Sequence, residues 1–120
     1  MKYMIMMFGD QAGMMEQRTP EWIREMIQWM HRFSDEVSKA GELVAAEGLV
    51  DPGQAKTVIY QNGMPVPTDG PYAESKESLA GYWIVDIGSE KRALELASKV
   101  VTFIECPVEV RQIGSARPEV

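Results

Sequence analysis

Three titratable groups in this chain sit in contexts that could move a proton or polarise a carbonyl. The first is Asp69, within TDGPY. Asp69 and Gly70 are turn formers, and Pro71 fixes its own φ while driving Gly70 away from helical geometry, so the loop can hold a carboxylate still. A plainer reading competes, because an Asp before Gly in a turn commonly accepts backbone N–H bonds. The second is His31, the only histidine. Imidazole titrates near neutrality and is the commonest general base. At 100° per residue, however, His31 falls on the polar side of a helix, near a border marked by Ile27, which equally suits a partly exposed, idle side chain. The third is Glu47 in ELVAAEGL, which shares an alternation with Leu43, Ala45 and Leu49. Pointing into that apolar layer it would suit a general acid or base; at a sheet edge it would simply reach solvent.

Metal chemistry has little to work with. One cysteine and one histidine make no structural zinc cluster and no intramolecular disulfide. Asp10, Glu47 and Asp69 would hold an ion only if folding happened to bring them together, and neither a metal nor a cofactor is expected. Cys106 reads as a small buried residue at the start of the last strand, and cysteine usage fits a reducing cytoplasm.

The elements that must position these groups are legible in order. KYMIMMF is apolar on both alternations, so this first strand wants cover on both faces. Thr19-Pro20-Glu21 opens a helix over about 20–40: Thr19 can cap, Pro20 suits the first turn and Glu21 favours the positive dipole end. Trp22, Met26, Met30, Phe33 and Val37 form its apolar stripe, and Gly41 stops it. A strand follows over Glu42–Leu49, then an Asp51-Pro52-Gly53 turn. Residues 55–61 and 64–68 flank Asn62-Gly63 and read as a hairpin with a two-residue primed turn. Its register pairs Gln61 with Met64, Ile59 with Val66 and Thr57 with Thr68. Pro65 and Pro67 then fall where their missing N–H points away from the partner strand. Residues 81–87 form the next strand, again apolar on both faces. Ser89 caps a second helix over about 90–104 with Ala93, Leu94, Ala97 and Val101 on one face, and PVEVRQI closes the fold.

This β-α-β-(hairpin)-β-α-β order predicts an α+β, ferredoxin-like split βαβ domain over residues 1–114, with two helices on one face of an antiparallel sheet and a frayed tail at 115–120. The other sheet face would be bare. At ~25 cal/mol per Å², leaving some hundreds of Å² of it in water would forfeit on the order of 10 kcal/mol, so a homodimer packed through the sheets is expected. Eighteen acidic against twelve basic residues give a net charge of −6, which disfavours nucleic acid as a partner. No apolar run is long enough to span a bilayer, so no membrane partner is expected.

MKYMIMMFGD, GELVAAEGL, NGMPVPTDGPYAESKESLAGYWIVD and the closing VEVRQI together resemble the DGPF branch of the YciI-like (YCII-related) proteins, over nearly the whole chain to about Gly114. Tyr72 stands where the family pattern has Phe, and Ser75 where Thr is frequent. The resemblance implies a bacterial protein with a dimeric α+β-barrel fold. The wider group is associated with a His–Asp pair near a cleft; Asp69 carries over by motif, whereas His31 lies in mid-helix without the pattern around that His. Related barrels include cofactor-independent enzymes acting on small aromatic or carbonyl compounds. That implies a pocket between the sheet and the first helix, with Asp69 as proton acceptor or donor, and Glu47 or His31 as the second titrating group. Gly70, Pro71, Tyr72 and Tyr82 would contact the ligand. The branch is also similar to proteins encoded beside alternative sigma factors, which implies instead a non-catalytic ligand-binding or regulatory dimer.

Overall fold

The computed structural model describes residues 1–9, 18–72 and 78–114. Asp10, Ser75 and the 115–120 tail lie outside them. The elements are β1 (Lys2–Phe8), α1 (Pro20–Lys39), β2 (Leu43–Gly48), a 3-10 turn (Pro52–Gln54), β3 (Lys56–Gln61), β4 (Met64–Asp69), β5 (Leu79–Asp86), α2 (Glu90–Ile104) and β6 (Val108–Gln112). The caps form as their residue types require: Thr19 Oγ1 accepts the Trp22 N–H at 3.1 Å, and Ser89 Oγ accepts that of Arg92 at 3.3 Å. Gly41, at φ 75°, takes the left-handed turn that leaves α1.

Four strands pair in the order β2-β5-β1-β6, every neighbour antiparallel. This is the ferredoxin-like α+β arrangement. One face carries Tyr3, Ile5, Trp83 and Val85, buried against Phe33 and Val37 of α1 and Leu96 and Val100 of α2. Aromatic rings continue the seam between the helices: Trp29 stacks on Phe33 at 5.1 Å and on Phe103 at 5.0 Å, and Phe33 meets Trp83 edge-on at 5.3 Å. Such ring pairs contribute ~0.5–1.5 kcal/mol each beyond the area they bury.

Two expectations shift by one residue. On α2 the buried residues are Ala93, Leu96, Ala97, Val100 and Ile104, while Leu94 and Val101 remain 51% and 38% exposed. Helical periodicity allows two stripes that share Ala93 and Ala97, and contact with the sheet selects the one that carries Leu96, Val100 and Ile104. On β2 a bulge lies between Leu43 and Ala45, so Leu43 aligns with Val85 but Ala45 with Ile84 and Glu47 with Tyr82. The extra residue reverses the alternation. Leu43 and Ala46 therefore belong to the core beneath the helices, and Glu47 falls with Ala45 on the opposite side, exposed rather than set in an apolar layer.

That opposite side has no covering layer among the described residues. The protein measures 19 Å along its shortest axis, enough for one sheet and one layer of helices. Met4 aligns with Ile84, and Met6 with Tyr82, across the uncovered face.

The hairpin has the expected register, including Gln61 with Met64, Ile59 with Val66 and Thr57 with Thr68. Asn62 at φ 53° and Gly63 at φ 77° supply the left-handed pair that a primed turn needs. β3 and β4 form a two-stranded sheet of their own. This arm exposes Val58, Tyr60 and Met64 at 65%, 81% and 64%.

Candidate functional site

Ile27, Met30, His31 and Ser34 recur on α1 at helical neighbour spacing. Facing them, β2 brings Ala46, Glu47 and Gly48, and β5 brings Tyr82 and Trp83, around a cleft of about 330 Å³. Two contacts set its geometry. Trp83 Nε1–H donates to Ser34 Oγ at 3.0 Å, tying the floor to the helix wall. Gly81 lets β2 close on β5: a Cβ there would lie 2.9 Å from the Glu47 carbonyl oxygen, so the backbone would have to shift, and 3.1 Å from the Met7 methyl, which would have to give way.

The far end of β2 is fastened electrostatically. Arg92 donates from Nε to Glu42 Oε2 at 2.9 Å and from a terminal nitrogen to Glu42 Oε1 at 2.8 Å, with a further bond of 3.2 Å to Glu95. These hydrogen bonds from Arg92 hold the Glu42 carboxyl below its ordinary value, outweighing the opposing effect of desolvation. The same fork raises the Arg92 guanidinium further still. The strand that carries Glu47 is thus braced at both ends.

The Asp-Gly-Pro motif lies elsewhere. Asp69 ends β4 and pairs with Lys56 across the arm, its side chain 90% exposed. The turn reading had this carboxylate accepting backbone N–H bonds; the partner that the structure gives it is an ammonium. The backbone bonds at this point are made by Gly70, whose N–H donates to the Ala55 carbonyl at 2.8 Å and whose own carbonyl accepts from Thr57 Oγ1 at 2.8 Å. Pro71 and Tyr72 line a different hollow, of about 570 Å³, with Asp51, Lys56 and Thr57 at the base of the arm. Among the described residues, then, His31 stands at the cleft, Glu47 and Tyr82 border it but belong to the opposite, uncovered face of the sheet, and Gly70, Pro71 and Tyr72 stay with Asp69 at the arm. The cause is the hairpin, which carries the motif away from the sheet and α1.

An imidazole and a hydroxyl beside an apolar floor can accept a proton from, and donate a hydrogen bond to, a small bound molecule. No group of three or more His, Cys, Asp or Glu among the described residues is placed to hold a metal ion. Nor is any helix among them long and apolar enough to cross a membrane.

A ferredoxin-like α+β protein with a helix–sheet cleft is the class these features define. The YCII-related domain matches residues 1–114, and the chain belongs to that family. An uncharacterised protein of Rhizobium meliloti (strain 1021) is 31% identical over 101 residues, covering 81% of this chain and 77% of that protein.

Ser34 and Met30 were not singled out from the sequence as cleft residues. The signal was present: Ile27, Met30, His31 and Ser34 are one helix face, which the apolar stripe alone assigns to its border.

Proposed function

We propose that this YCII-related protein acts as a homodimer joined through the uncovered sheet face, and that each subunit binds a small aromatic or carbonyl compound in the cleft between α1 and the ends of β2 and β5. The chemistry proposed is cofactor-independent proton transfer, of the isomerisation or elimination type, with His31 as the exchanging group and Ser34 orienting the substrate. The observation that carries it is the placement of His31 and Ser34 on the α1 wall of a cleft floored by Trp83, whose indole N–H already donates to Ser34. In this reading Asp69 holds Lys56 and stiffens the arm instead of meeting substrate. Support for the dimer comes from the methionine and aromatic residues on the uncovered face and from the apolar side chains of the arm, which a second copy would remove from water.

The test is hydrogen–deuterium exchange at carbon. Small ketones and phenols that bind the protein are incubated with it in D₂O, and loss of the acidic C–H signal is followed by NMR. Exchange in the wild type that falls at least tenfold in His31→Gln, and persists in Glu47→Gln and Asp69→Asn, supports the assignment. Binding without exchange would instead favour the non-catalytic ligand-binding dimer, and loss of exchange in Asp69→Asn alone would return the chemistry to the motif. Sedimentation equilibrium at micromolar concentration checks the dimer.

A further inference from the structure

Next to the cleft lies a second hollow of about 300 Å³, whose walls include Phe8, Ile23, Met26, Ile104 and Cys106. It shares Met7, Ile27, Met30 and Gly48 with the cleft, so the two adjoin and have unlike ends. At the cleft end stand His31 and Ser34; at the other, no described residue is charged, and the side-chain heteroatoms among the described residues are sulfurs.

The geometry points to an amphipathic ligand: a one- or two-ring, or short branched, hydrocarbon body seated among Met7, Met26 and Met30, with a hydroxyl or carbonyl held at His31 and Ser34. This rests on the proposed function and narrows its substrate class. The size limit follows from volume, since ~150 Å³ of dry cavity accommodates benzene in an unrelated protein, and twice that suits a fused pair of rings or a ring with a three- or four-carbon chain. Sugars, phosphate esters and other ligands that are polar throughout do not suit it, because the described residues of the inner walls are apolar and would not replace their hydration. Methionine walls suit such a body, as unbranched thioethers conform to several shapes. Gly48 marks the passage. A Cβ there would meet no atom within 4 Å, so the opening is wide only while this position lacks a side chain.

The probes are phenol and 2-naphthol, titrated into uniformly labelled protein carrying ¹³C-methyl methionine. The expected result is that naphthol shifts the Met7, Met26 and Met30 methyl signals and the His31 ring signals together, and binds roughly tenfold more tightly than phenol, as burial of a second ring requires. Gly48→Leu and, separately, Met26→Phe should erase that advantage while phenol still shifts His31. Each variant is first checked for native circular dichroism, and the two fill the space from opposite walls, so one misfolded variant does not spoil the test. Equal affinities, with shifts confined to the cleft, would overturn the inner-chamber assignment and leave the proposed function standing. Methionine shifts without any at His31 would overturn the polar anchor, and the proposed function with it.

Discussion

Replacing either member of the Glu42–Arg92 pair should loosen β2 from α2, and the size of that effect can be worked from the contact. The two Arg92–Glu42 bonds are 2.9 and 2.8 Å long and join residues 50 apart, with side chains 18% exposed for Glu42 and 34% for Arg92. An exposed ion pair contributes about 0–1 kcal/mol, and breaking a fully buried one costs about 3–5 kcal/mol. A forked pair that water still reaches belongs between them, with a coupling of about 1–2 kcal/mol. Urea denaturation of the wild type, Glu42→Gln, Arg92→Met and the double variant gives that coupling directly. Its pH dependence has a defined sign. The folded carboxyl is held below its ordinary 4.5, so the stabilisation is fully present above pH 4.5 and is lost as pH falls through the folded-state value. The coupling should therefore be constant from pH 7 to 5 and shrink below that. A value under ~0.3 kcal/mol at pH 7, or one unchanged at pH 3, would refute the clamp.

Three further outcomes follow from the same geometry. Gly81→Ala should destabilise the protein by about 1–3 kcal/mol, since backbone atoms must retreat from the new methyl, whereas Gly48→Ala, with open space at its Cβ, should change stability by under ~1 kcal/mol in thermal or urea melts. Trp83→Phe keeps an aromatic ring in the core but removes the donor to Ser34 Oγ, so a loss of about 1–2 kcal/mol is expected, together with a changed Ser34 amide shift on ligand titration. Ile84→Glu, at the centre of the uncovered face opposite Met4, should convert the proposed dimer to monomer by sedimentation while far-UV circular dichroism stays native at high protein concentration.

Local chemistry in the chain was sufficient for the two capped helices, the Asn62-Gly63 hairpin and its register, and the antiparallel βαβ order, because each depends on neighbours a few residues apart: a hydroxyl before an acidic turn, a left-handed pair between strands, prolines where no N–H is needed. Glu47's side of the sheet was decided otherwise. One bulge residue between Leu43 and Ala45 inverts a period-two pattern, and no rule of alternation announces it. The same limit applies to Leu94 and Val101, since two helical stripes were compatible with the sequence and only contact with the sheet distinguished them. Which polar groups meet was also a tertiary matter. Asp69 is tethered to Lys56 within the arm, while Ser34 of α1 meets Trp83 of β5 and Glu47 is left on the other face, because side-chain encounters across elements depend on how a strand and a helix are laid over one another, a relation that spacing along the chain does not encode.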